Sequence, residues 1–463
     1  TATPTSTVPQ PAHHLVIPTP EAMNPTKMDN ACTRREFCKA SAIAGGGILA
    51  TTLPVGQSAQ VAGSDKITVA LVGCGGRGTG AAIQALSTDL PVQLVAMADA
   101  FQDRLDNSLN SINEEFESDK GKIKVPEKNQ FVGFEGYKAA IDLADVVILT
   151  TPPGFRPEHF EYAVNAGKHI FMEKPVATDV PGVRRVLKAA QIAKEKKLNV
   201  VVGLQRHYQT SYNLIYDQLQ SGAIGKITAG QVYWNSAGVW VKERAAGQSE
   251  LEYQMRNWYY YVWLCGDHIL EQHIHNIDVA NWFVGEYPIS AQGMGGREVR
   301  KGPQYGEIFD HHFVEFVYPS GAVIASQCRH QPNTMNRVTE VFQGTKGTID
   351  MSSNSINSWD GQELFKHNAR KDPNPYQVEH DKLFASIRDG GVISDAENGA
   401  YSTMTAILGR MATYSGQVIT WDEAMKSELS LVPENLSWDS KPPVMPNEEG
   451  LYAIPVPGKT KVM

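Results

Sequence analysis

The stretch "KITVALVGCGGRGTGAA" (residues 66–82) constrains the fold more than any other part of the chain. An unbroken apolar run reads as a strand buried on both faces, and it ends in glycines that lead straight into a helix-forming stretch. Gly73, Gly75 and Gly78 are spaced G-x-G-x-x-G. In that pattern one glycine allows the tight turn, one lets a pyrophosphate approach the backbone, and one lets helix and strand pack closely. Gly76 and Arg77 complete the loop. A second apolar strand, "VQLVAMAD", ends in Asp99, about 20 residues on, where a carboxylate can accept hydrogen bonds from an adenosine ribose. The reading is a dinucleotide site. Asp99 would repel a 2′-phosphate, so NAD is favoured; Arg104 nearby leaves NADP as the alternative.

Strand and helix patterns continue in alternation through residues 144–153, 168–175 and 199–205. Such alternation predicts a parallel sheet with crossover helices, a Rossmann domain over residues 64–204. Thr151 and Pro152 lie at the end of the first of these stretches and Glu173 near the end of the second, so all three are expected at the cofactor edge. Residues 311–328 and 337–351 alternate apolar and polar positions, which predicts strands of a second, α+β domain over 205–431. A Pro-rich tail, 432–463, is expected to wrap the surface or join an oligomer contact.

Composition narrows the function classes. The 463 residues carry a net charge of −8 with no long basic run, which argues against nucleic acid as a partner. Five cysteines, scattered and without a CxxC pair, predict neither a disulfide framework nor a structural zinc site. Ahead of the glycine loop, Arg34 and Arg35 precede a weakly apolar run rich in Ala and Gly. Residues 1–63 therefore resemble a twin-arginine leader, which exports folded proteins and implies a periplasmic location. That run is too short and too glycine-rich for a stable membrane span.

At "MEKPVATD" (residues 172–179), with "TTPPGFRPEH" before it and the glycine loop at the start, the chain resembles the Gfo/Idh/MocA oxidoreductases over roughly residues 66–431. The resemblance implies an open, mostly antiparallel second sheet, a late helix within 397–424 that packs back, and a homodimer or homotetramer. It also implies that Lys174 belongs to the active site and that His159 stands near the cofactor.

In "GDHILEQHIHNIDVANWF" (residues 266–283), apolar spacing predicts one amphipathic helix with Asp267, Glu271, His275 and Asp278 on another face. The resemblance makes His275 the general acid/base and puts Glu271 and Asn276 where the family has aspartates. Glu271 is thus a supporting acid with a longer reach. Hydride transfer from a carbinol needs such a base and a charge to steady the alkoxide. A metal reading of the same stretch, through His268, Glu271 or Gln272, His273 and His275, ranks below it, because neither H-E-x-x-H nor H-x-x-E-H occurs, and no metal is assigned.

The aromatic run 252–268, above all Trp258 and Tyr259, suits the C–H faces of a sugar ring. With Arg206, Tyr208 and Asp278 it makes a sugar or polyol the expected substrate. The leading expectation is an NAD(P)-dependent dehydrogenase of a sugar, a sugar derivative such as a sugar acid, or a cyclitol. The alternatives are a redox-neutral sugar enzyme that keeps its cofactor, such as a glycosidase or sugar–sugar oxidoreductase, and a non-catalytic NAD- or sugar-binding protein.

Overall fold

The computed structural model describes residues 66–463; the twin-arginine stretch and the rest of the expected leader lie outside the described residues. Six parallel strands form the first sheet: β1 (Ile67–Val72), β2 (Val92–Asp99), β3 (Gln130–Val132), β4 (Val146–Leu149), β5 (His169–Met172) and β6 (Val200–Val202). Their order is β3-β2-β1-β4-β5-β6. Helices α1 (Gly76–Leu86), α2 (Gln102–Glu115), α3 (Gly136–Asp142), α4 (Arg156–Asn165) and α5 (Val180–Glu195) connect them. Every residue of β4, β5 and β6 is buried, as strands covered by helices on both faces must be. This is the helix-flanked parallel sheet that the alternation predicts, with one strand the sequence hid. β3 is three residues long and only partly covered at the sheet edge, so it lacks an apolar run. The strand order reverses between β1 and β4, which opens a crevice at their carboxyl ends.

After α6 (Thr210–Gln220), nine strands build the second sheet: β7 (Ile227–Ser236), β8 (Ser290–Gly296), β9 (His311–Val317), β10 (Val323–His330), β11 (Arg337–Gly344), β12 (Gly347–Asp350), β13 (Ser355–Ser358), β14 (Glu363–Lys366) and β15 (Ile419–Thr420). Their order is β14-β13-β12-β11-β7-β10-β9-β8-β15, and only β7 and β10 run parallel. β9 and β10 bury every second residue, which gives the sheet one covered and one open face.

Between β7 and β8 lie α7 (Glu250–Arg256), α8 (Val262–Cys265), α9 (His268–Glu271) and α10 (Ile274–Val284). The single amphipathic helix expected over 266–283 is therefore broken. Gly266 and Asp267 both have positive φ, 80° and 78°, and the chain breaks again after Glu271. Nor is α10 amphipathic: it is buried nearly all round, because α12 and the second sheet enclose it.

The chain then returns to the first sheet. α11 (Pro375–Asp389) packs on α1, with Leu383 and Phe384 in the core beside Leu71 and Phe171. α12 (Ala396–Ser415) lies against α5, β6 and β8 and ends at Gly416, whose φ of 69° closes the helix. The late helix is thus shorter than expected and is followed by β15 and α13 (Trp421–Ala424). No helix or strand follows α13. The Leu431 N–H donates to the Asp179 carboxylate, and Trp438 packs on Phe101 and Phe134 at centroid distances of 5.2 and 4.6 Å. No helix among the described residues is long and apolar enough to cross a membrane. Cys74, Cys265 and Cys328 are buried free thiols.

Candidate active site

A cleft of about 640 Å³ runs along the carboxyl ends of β1, β2, β4 and β5 and is closed on its far side by residues of β7, α9 and α10. Its glycine loop is set by sterics. Gly73 has φ +97°, and a Cβ there would meet the Thr151 nitrogen at 2.5 Å. A Cβ on Gly78 would stand 1.9 Å from the Gly73 carbonyl oxygen. At Gly75 and Gly76 a Cβ would meet nothing within 4 Å, so open space faces the first turn of α1. Gly75 caps that turn without a side-chain hydrogen bond, which leaves backbone N–H groups for an anion. The loop therefore fits a pyrophosphate. Gly78→Ala is expected to weaken NADH binding by about one to two orders of magnitude, since overpacking against fixed backbone costs roughly 1–3 kcal/mol; a fluorescence titration with NADH reads it.

Asp99 is held from both sides. Its Oδ2 accepts the Cys74 N–H at 2.7 Å and its Oδ1 the Phe101 N–H at 2.9 Å, while Arg104 lines the same end of the cleft. Thr151 and Pro152 form the wall after β4. His159 reaches that wall from α4: its Nδ1 lies 3.1 Å from the Thr151 hydroxyl and its ring stacks on Tyr137 at 4.0 Å. Burial, helped by the Arg156 charge, lowers its pKa to about 3 and keeps it neutral.

At the other end the two sheets meet. The Lys174 Nζ donates to the Glu271 backbone oxygen at 2.6 Å and lies 3.2 Å from its Oε1. Glu173 turns the opposite way and pairs with Arg77, which also reaches Glu379 of α11 at 3.5 Å. Gly203 at the end of β6 makes room for that carboxylate, because a Cβ there would stand 2.8 Å from Glu173 Oε1. His275 projects from α10 beside the Trp234 ring, at 5.8 Å, and its buried Nδ1 has no partner. Burial, then the Lys174 charge, holds His275 well below the usual imidazole range, so the ring is neutral. Burial raises the Glu271 carboxyl above its ordinary value, against the pull of Lys174. Trp258 and Tyr259 line the cleft, and the buried Tyr259 hydroxyl also lacks a partner.

The structure thus brings together Gly73, Gly75, Gly76, Arg77, Gly78, Asp99, Thr151, Pro152, His159, Glu173, Lys174, Trp258, Tyr259, Glu271 and His275. Arg206, Tyr208 and Asp278, expected at the substrate, do not line the cleft. Arg206 pairs with the fully buried Glu340, which also accepts from Asn276 and Tyr212. Tyr208 donates to Asp395 at 2.5 Å, and Asp278 accepts from Ser402 and Asn398 and lies 2.7 Å from the His207 ring. These are buried polar groups holding α6, α10, α12 and the second sheet together.

The histidines weighed as metal ligands likewise point apart. His268 bonds Asp267 and His273 bonds Ser326, whereas His275 faces the cleft. Asp267, His268 and His312 lie close together, but the Asp267 carboxylate accepts hydrogen bonds from the Phe309 N–H and the Tyr414 hydroxyl. Sequence reasoning passed over Arg156, Trp234, Trp240 and Tyr376, which also line the cleft. Only Arg156 carried a local signal, since a charged residue opening a helix directly after "TTPPGF" must face the cofactor edge.

A glycine loop at the switch point of a parallel sheet, faced by a lysine and a neutral histidine from two different domains, defines a dinucleotide-dependent oxidoreductase. The chain belongs to the Gfo/Idh/MocA family. Residues 67–204 match the model described as "Oxidoreductase family, NAD-binding Rossmann fold", and residues 212–350 match the model of the family's C-terminal domain. Over 269 residues, 58% of the chain and 70% of the relative, it is 23% identical to inositol 2-dehydrogenase of Rhizobium meliloti. It is 26% identical to 2,7-anhydro-N-acetylneuraminate hydratase of Escherichia coli across 45% of the chain, which spans only 51% of that relative. The aldose–aldose oxidoreductase of Caulobacter crescentus, solved with glycerol, superposes with a TM-score of 0.60 at 19% identity, covering 77% of this chain and 99% of that one, and shows the same fold.

Proposed function

We propose that the protein oxidises a carbinol carbon of a sugar, sugar derivative or cyclitol, with NAD as the preferred cofactor. The observation that carries this reading is the meeting of Lys174, from the end of β5, with Glu271 and the neutral His275 beside the glycine-loop cleft. Gly73 to Gly78, Asp99, Thr151 and Pro152 would hold NAD, which when bound supplies the hydride acceptor. His275 takes the proton of the substrate hydroxyl, and the Lys174 ammonium steadies the negative charge left on its oxygen. Glu271 fixes the Lys174 side chain, and Trp258 and Tyr259 offer aromatic faces to the ring.

Asp99 supports NAD over NADP, because a 2′-phosphate would meet its carboxylate. Arg34 and Arg35 support export by the twin-arginine route to the periplasm, and the open face of the second sheet suits a homodimer or homotetramer. One observation favours a second reading, a redox-neutral sugar enzyme that retains its cofactor. Trp438 covers Phe101 and Phe134, which line the adenosine end of the cleft. Gel filtration of the purified protein separates the two. Free exchange of NAD and net NADH formation from a sugar or cyclitol support the dehydrogenase; retained cofactor and turnover without net NADH overturn it in favour of the second reading.

A further inference from the structure

Arg156 opens α4 inside the cleft and is 1% exposed. One of its terminal nitrogens donates to the Thr151 carbonyl oxygen, yet Nε and NH1 have no acceptor at all. A buried guanidinium with idle N–H groups is costly, because a lost charged hydrogen bond costs more than a neutral one. No carboxylate forms an ion pair with it. Glu173 is taken by Arg77 and Glu271 by Lys174, and both act on Arg156 only from a distance.

The surroundings repeat the imbalance. Of the six lysines and arginines that line the cleft, Arg77 pairs with Glu173 and Glu379, Lys174 with Glu271, and Arg256 with Asp103 and Glu252, which leaves Arg104, Lys242 and Arg156 without an ion pair among the described residues. The Tyr259 hydroxyl near Glu271 is idle too, and it can donate or accept. A neutral sugar presents hydroxyls that donate as often as they accept. The two idle nitrogens of the Arg156 guanidinium can only donate, and they ask instead for a ligand group that only accepts.

We propose that Arg156 makes this cleft selective for sugars that bear a carboxylate, an aldonate or a uronate, by taking the carboxylate on its free N–H groups. The proposal rests on the reading of the cleft as a sugar-oxidising site and adds the substrate class.

The test compares D-glucuronate with D-glucose and with methyl glucuronate, which keeps the shape and loses the charge, on the cofactor-loaded protein. The ratio of kcat/KM for the acid to that for either neutral ring is expected to be roughly 100 and to collapse towards about 1 in Arg156→Gln, with Arg156→Lys keeping part of it. A ratio near or below 1 in the unaltered protein overturns the proposal. So does Arg156→Gln that weakens NADH binding while leaving the ratio intact, which would assign Arg156 to the cofactor. If none of the three is turned over, the oxidation reading fails for these sugars, and calorimetric titration still decides the recognition. Arg156-dependent binding of glucuronate over glucose supports the proposal, and equal or absent binding of the two refutes it. NADH binding to each variant reports whether it is folded.

Discussion

His275→Ala is expected to lower turnover by roughly 10²–10⁴-fold while NADH binds as before. The imidazole lies on α10, away from the glycine loop and Asp99, so removing it leaves the groups that would hold the cofactor untouched. Burial keeps it neutral, and the nearby Lys174 ammonium opposes its protonation. That is the state a base needs at the start of an alcohol oxidation. It also means that the acid limb of the rate profile should not follow an ordinary imidazole. Glu271, raised by burial, gains its proton above the ordinary carboxyl range as pH falls and weakens its ion pair with Lys174. Added imidazole should restore part of the lost turnover. Retention of more than about a tenth of the activity in His275→Ala would transfer the base role elsewhere.

The second large effect is on stability. Burial lowers the pKa of His159, His273 and His380 to about 3 and of His268 to about 4, so all four are neutral in the fold. In the unfolded chain each titrates near the ordinary histidine value of about 6.5. Below that pH the unfolded state binds protons that the folded state refuses. Stability from these groups is therefore complete above about 6.5 and is lost as pH falls, at roughly 1 kcal/mol per pH unit for each. Four together approach the whole stability of an ordinary domain, about 5–15 kcal/mol, by about pH 5. Glu307, whose carboxyl burial pushes up to about 7, works the other way, because the fold binds its proton first; we expect the histidines to outweigh it and stability to fall from pH 6.5 to 5, followed by tryptophan fluorescence. Both ring nitrogens of His380 lack partners, so His380→Leu should move the midpoint of acid unfolding to lower pH. Stability unchanged between pH 7 and 5 would contradict the account.

Much of this was legible in local sequence. The glycine loop, Asp99 and the strand ends carrying Thr151, Glu173 and Lys174 are dictated within a few residues of themselves, by backbone geometry that only certain residues allow. His275 was legible too, although the helix expected to carry it is broken. What failed was whatever depends on a distant partner. Arg206 and Asp278 read as substrate contacts because polar residues in a site-rich stretch suggest a ligand; their partners, Glu340 and Ser402, lie more than 100 residues away. The break at Gly266 and Asp267 has the same origin, since the Asp267 carboxylate is claimed by the Phe309 N–H and by Tyr414. Nothing in the local pattern of 266–283 announces those claims.

The return of α11 and α12 to the first sheet bears on how the protein is made. Leu383 and Phe384 complete the core beside β1 and β5, and the Val200 N–H donates to the Ile393 carbonyl. A ribosome that has released residues 66–204 has therefore not yet released everything their sheet is packed against. The nascent Rossmann half must wait for about 190 further residues, roughly 10–40 s of synthesis at ordinary rates, before it can close. Cutting the chain at residue 204 should leave an exposed apolar seam rather than a free-standing domain, and the same delay sets the earliest moment at which the protein can be found folded.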